Sequence, residues 1–275
     1  MASNPTYAKP PMVETVIGVQ FPEISGFRAA HFGLYWDTIR KDFPTATDQP
    51  RLEPNRERFP RLPAIPVPRF QIMQRTPADR VWFTAESAAE LIQLQPDRFL
   101  FNWRRRGRNG EYPTYKSNSE TFFKEFARFR EFCIAQKLDE PVPELCEVTY
   151  VNHIEPEEDE SAIDLAGKVF SGLRWKTSEG FLPTPESLTF NRAFVIAHNE
   201  KPIGRLYAEA SIAMRRQGPG PREFVLFNLT ARVIHRADEW QELADSVQHA
   251  HDWVVRGFAD LTDPQIQKER WERKA

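Results

Sequence analysis

Residues 12–21 (MVETVIGVQF) are rich in β-branched and apolar residues and predict a strand. In residues 27–43, Phe32, Tyr35, Trp36, Ile39 and Phe43 recur at three- and four-residue steps, which predicts an amphipathic helix ended by Pro44. Seven prolines between residues 44 and 68 exclude a helix there. An extended connector is expected, with at most one edge strand, of the kind that wraps a surface or forms a binding loop. Short strands are predicted at 70–75, 80–84, 90–95 and 98–104, the last pair split by Pro96-Asp97. In the last of them Phe99, Phe101 and Trp103 share one face, and Leu100, Asn102 and Arg104 the other. A helix with Phe122, Phe126, Phe129, Phe132 and Cys133 on one side is predicted over 117–137.

The second part of the chain repeats this order. A strand is predicted at 145–154, a short helix at 162–173, long strands at 187–197, 203–214 and 223–234, and a helix at 238–261 with Asp238 as N-cap. Residues 12–21 align without gaps on 145–154 (LCEVTYVNHI), placing Glu14 on Glu147. The expected fold is α+β: two similar β-α-β(3–4)-α halves, 1–140 and 141–275, with antiparallel sheets and helices packed on one face, a helix-grip or TATA-binding-protein-like duplication. Such halves either join into one saddle or enclose a cleft, and the uncovered sheet face or the cleft is the expected ligand site.

Composition narrows the function classes. Hydrophobic residues make up 40% and charged residues 28%, with 21 Phe and 7 Trp, so a folded chain with a sizeable core is expected. A net charge of −2 provides no global field toward nucleic acid or membrane, so such binding needs a local patch. No stretch approaches the roughly 18 apolar residues of a membrane span. The polar, proline-bearing start lacks a signal-peptide pattern, and a cytoplasmic location is expected. Cys133 and Cys146 are expected to be reduced and buried.

The densest charge is Arg104, Arg105, Arg106 and Arg108 beside Trp103 and Tyr112. With Arg98, and with Arg215 and Arg216 at a second strand exit, it forms the candidate ligand- or partner-binding set; the alternative is a solvated strand exit. Asn152-His153, beside an acidic run at 155–160, is the alternative catalytic pair, with Asp97 as its carboxylate; otherwise His153 closes a strand end and Asp97 stabilises its own turn. Glu14 and Glu147 within apolar strands are either functional carboxylates or outward-facing positions. His249 and His251 stand on different helix faces and do not form a metal pair. Gly-rich phosphate loops, a Gly-x-Ser-x-Gly elbow and Cys-x-x-Cys are all missing from the sequence. No cofactor and no metal are expected.

Lys9-Pro10-Pro11 through Glu14, Gln93-Leu94-Gln95-Pro96-Asp97-Arg98-Phe99 and Cys146-Glu147-Val148-Thr149-Tyr150 with Asn152-His153-Ile154 together resemble a sporadically distributed bacterial family of uncharacterised proteins. The resemblance covers nearly the whole chain and brings no catalytic residues with it. It implies an accessory role such as defence or a toxin–antitoxin-like partnership. The leading expectation is a non-enzymatic protein that binds a protein partner or an anionic ligand. A hydrolase built on Asn152-His153 and a nucleic-acid-binding saddle are the alternatives.

Overall fold

The computed structural model describes residues 4–60, 79–107, 112–173, 181–215, 220–235 and 240–274. The expected strand at 70–75, the Asp238 cap, Arg108 and Arg216 lie outside these residues. The first half contains β1 (Thr6–Tyr7), β2 (Met12–Gln20), α1 (Ala29–Ile39), β3 (Thr45–Gln49), β4 (Arg80–Thr84), β5 (Glu90–Gln95), β6 (Arg98–Arg104) and α2 (Tyr115–Ala135). The second contains β7 (Leu145–Ile154), α3 (Ala162–Val169), β8 (Thr189–His198), β9 (Lys201–Arg215), β10 (Arg222–Ile234), α4 (Trp240–Leu261), α5 (Pro264–Glu269) and β11 (Arg273–Lys274).

Local chemistry sets several boundaries. The Thr114 side chain accepts from Ser117 N at the start of α2, and Ser161 does the same for Asp164 N at the start of α3. α1 is shorter than its apolar spacing predicts, and beyond it the chain turns into β3, the edge strand foreseen for the proline-rich connector.

Among the described residues, the long strands make one antiparallel sheet of nine in the order β3-β4-β5-β6-β2-β7-β10-β9-β8. Each half is wound alike, its first strand pairing with its last: β2 with β6, β7 with β10. The halves meet where β2 runs antiparallel to β7, with Gln20 opposite Leu145 and Glu14 opposite Val151. Among the described residues the sheet is therefore continuous across the two halves. The first half has one strand more than the second.

Strand alternation sends Ile17, Val19, Phe99, Phe101, Val148, Phe227 and Leu229 to the helix-bearing face, where each is essentially buried. Phe129 of α2 packs its ring against Phe21, Phe27, Tyr35, Phe99 and Phe132. Burying each such ring contributes about 1.5–3 kcal/mol. Cys133 and Cys146 are free and buried, and burial pushes both thiols up to about 12, so they stay protonated. At the C-terminal end Trp271 packs on Phe258 of α4, and β11 pairs with β1. Among the described residues no helix is long and apolar enough to cross a membrane.

Candidate functional site on the helix-free sheet face

The other face of the sheet is polar because the same alternation points Glu14, Gln20, Arg98, Asn102, Gln93, Arg80, Glu147, Arg232 and Arg205 away from the helices. A hydrogen-bonded chain crosses four strands of the first half. Arg80 Nη1 and Trp82 Nε1 donate to Gln93 Oε1 (2.8 and 2.9 Å), Gln93 Nε2 donates to Asn102 Oδ1 (2.8 Å), and Asn102 Nδ2 donates to Glu14 Oε1 (2.5 Å). Arg104 also donates to Glu14 (2.9 Å) and lies 4.9 Å over the Trp82 ring. The second half holds the matching pair: Arg232 donates to Glu147 (2.7 Å) and lies 5.0 Å over the Tyr207 ring. Arg104 faces Glu14 across the β2–β6 pair as Arg232 faces Glu147 across the β7–β10 pair.

This face is not bare. Residues 51–60, part of the proline-rich connector, run across it as an extended strap that is bound mainly through its backbone. Leu52 N donates to Gln95 Oε1 while Gln95 Nε2 donates to Leu52 O, both at 3.2 Å. Asn55 N donates to Gln20 Oε1 (2.8 Å) while Gln20 Nε2 donates to Asn55 O (3.0 Å). Arg98 Nη2 donates to Glu53 O (2.9 Å), and Arg205 Nη2 donates to Arg58 O (2.6 Å). Each glutamine side-chain amide therefore clasps the N–H and the C=O of one strap residue, a geometry that the backbone of any residue but proline satisfies.

Strap side chains are held as well: Arg51 on Asp97 (2.9 Å), Asn55 on Glu147 (3.2 Å) and, fully buried, Glu57. The Glu57 carboxylate accepts from Arg205 Nη1 (2.5 Å) and Tyr207 Oη (2.7 Å). Its side chain is 1% exposed and that of Arg205 5%, so this is a fully desolvated ion pair. Arg205 also lies 4.2 Å over the Phe59 ring. Burial, then the Glu57 carboxylate, raises the Tyr207 phenol pKa and keeps its proton in place for the bond. Beside the strap, Gln20, Arg51, Asn55, Glu57, Asp97 and His235 line part of an open groove of about 660 Å³.

The residues singled out from the sequence divide between two ends of the sheet. Asp97 is at one end, held by Arg51 (2.9 Å) and Gln95 (2.5 Å), and its main-chain oxygen accepts from Phe21 N. His153 is at the other, where its N–H meets Pro11 O. The ten-residue run of β2 between these contacts, at about 3.3 Å per residue, separates Asp97 from His153 by roughly 30 Å. Asn152 faces the helices and donates to Phe227 O (3.0 Å), whereas His153 faces the opposite side against Phe224. The alternative catalytic grouping of His153, Asn152 and Asp97 is not assembled. Burial, followed by the Arg215 charge, lowers the His153 pKa.

The basic exits do gather at the His153 end, but each described arginine there has a local partner. Arg104 is on Glu14, Arg105 donates to the Tyr112 hydroxyl, Arg106 to Ala88 O (2.7 Å), and Arg215 to Glu155 (2.5 Å). Trp103 is turned to the helix side and packs on Tyr112. Arg98, from the same candidate set, lies on the strap. Sequence reasoning missed Gln20, Gln95, Arg205, Tyr207 and Glu57. The available signal was a glutamine or arginine at every second position of otherwise apolar strands, as at Gln93 and Gln95.

Among the described residues no group of three or more His, Cys, Asp or Glu side chains is arranged to hold a metal ion. Comparison with known protein families finds no match, and no curated protein sequence matches the chain.

Proposed function

We propose that this chain is a non-enzymatic binding protein that takes an extended protein segment with one carboxylate side chain across the helix-free face of its sheet, a place its own strap occupies in this structure. The strap clasp carries the proposal. Gln20, Gln95, Arg98 and Arg205 grip backbone groups, while Arg205 and Tyr207 select a carboxylate five residues beyond Leu52. Backbone contacts supply affinity for any extended chain, and the buried carboxylate site supplies selectivity. The resemblance to an uncharacterised bacterial family is the sole support for an accessory, defence-like setting, and that setting is part of the proposal.

The engagement of Arg104, Arg105 and Arg106 with local partners favours a protein segment over nucleic acid, because phosphate contacts need free cationic side chains. The test uses a fluorescein-labelled peptide of residues 50–60 and the full chain carrying Glu57→Lys, which reverses the charge at that position. The peptide should bind this variant, a peptide with the same reversal should not, and the wild-type chain should compete through its own strap. Failure of the peptide to bind a natively folded Glu57→Lys chain at about 1 mM, the weak end of specific recognition, would refute the proposal.

A further inference from the structure

Arg80 and Arg98 stand at one end of the helix-free face and start strands β4 and β6. Gln95 of β5 pairs with Arg98, and Arg80 lies one position beyond the Val81–Leu94 pair, so the two arginines flank a single intervening strand. Two interstrand steps place their backbones about 10 Å apart. They are only 8% and 5% exposed. Arg80 donates to Gln93 Oε1 and lies 5.6 Å over the Trp82 ring; Arg98 donates to Gln20 Oε1 and Glu53 O. The Nε of each is buried without a hydrogen-bond partner.

Neither arginine forms an ion pair with any described residue. The acids nearest Arg98 are Asp97 and Glu147, and both are already engaged, Asp97 by Arg51 and Gln95, Glu147 by Arg232 and Asn55. For Arg80, burial and then the Arg98 charge lower the pKa, and no carboxylate opposes them. Two buried like charges with free donors are unfavourable unless a counter-charge joins them. We infer that Arg80 and Arg98 form a binding site for a small oxyanion, a phosphate or carboxylate group, with the forked guanidinium donors as its ligands and Trp82 as one wall.

The site shares Arg98 with the strap clasp, so the test turns on Arg80, whose side chain is held by Gln93. The inference is tested on the full chain at constant ionic strength, with chloride replaced stepwise by inorganic phosphate in one arm and by acetate in the other. Calorimetric titration should show saturable binding in at least one arm. At ten times Kd the melting temperature should rise by about 2–4 °C. Saturation by phosphate alone assigns a phosphate site, and by acetate alone a carboxylate site. Arg80→Gln should lose the response yet melt in chloride no lower than wild type, because an unpaired buried charge has been removed. Arg80→Lys should bind more weakly, and Arg222→Gln, at an exposed arginine, should respond as wild type does. No anion-specific binding to the wild-type chain, or equal binding to Arg80→Gln, would overturn the inference.

Discussion

Arg205→Met isolates the contact that fixes the strap. It leaves the Glu57 carboxylate, 1% exposed, facing only the Tyr207 hydroxyl, since Arg232 is bound to Glu147. Removing one partner of a buried ion pair costs about 3–5 kcal/mol. The strap escapes that cost by lifting its carboxylate into water, so the loss is read as strap opening rather than as unfolding of the sheet. At 1.4 kcal/mol per tenfold, the open fraction rises about 10²- to 10³-fold. Limited trypsinolysis followed by mass spectrometry measures this at the Arg58–Phe59 bond, whose carbonyl is held by Arg205 in the closed form. Tyr207→Phe removes one hydrogen bond to a charged group, worth about 1.5–3 kcal/mol, and should accelerate cleavage roughly 10- to 100-fold. Glu57→Gln combined with Arg205→Met should cleave more slowly than Arg205→Met alone, because no charge is left buried. Wild-type cleavage rates in Arg205→Met, with an unchanged melting curve, would refute the reasoning.

Other outcomes follow from the same structure. Phe129→Ala empties the centre of the aromatic cluster under α2 and should lower stability by about 3–5 kcal/mol in urea denaturation; a loss below about 1 kcal/mol would show that the cluster collapses around the gap. His251 is stacked on Tyr115 at 3.6 Å and within 3.1 Å of the Tyr150 hydroxyl; burial holds its pKa down to about 4, with Asp252 opposing the shift. Because the unfolded imidazole takes its proton near pH 6.5 and the folded one only near 4, stability is full above 6.5. It should fall by roughly 3 kcal/mol as pH drops from 6.5 to 4, and His251→Gln should flatten that slope in urea titrations across the window. Gly204→Ala would drive a methyl group into the Arg232 main-chain oxygen and should part β9 from β10, seen as loss of amide protection along that ladder.

Much of the fold was legible because each strand carries a two-residue alternation and each long helix a three-to-four-residue stripe. The gapless match of residues 12–21 on 145–154 put Glu14 on Glu147, and these carboxylates do hold Arg104 and Arg232 in like fashion. The site was less legible for two reasons. Gln20, Gln95 and Arg205 act on residues 35, 43 and 147 positions away in sequence, and nothing local in a strand announces a partner that arrives from a distant connector. Charge density was also misleading. The arginine run at 104–106 drew attention as the most basic stretch, yet its described members are tied to Glu14, Tyr112 and Ala88. The sparser Arg80 and Arg98, each directly after an aspartate at the start of its strand, keep an unpaired Nε. The described part of the connector, up to residue 60, crosses a surface. The surface it wraps is the face that had been expected to lie open.

Hydrogen exchange at the Leu52 and Asn55 amides, which are held by Gln95 and Gln20, reads the occupancy of that face directly. In the isolated chain both should be protected. Saturation with an extended peptide of the strap's sequence should bring their exchange toward coil rates as the strap is displaced. Amides that stay protected while the peptide binds, or that exchange at coil rates before any is added, would contradict a face shared between strap and partner.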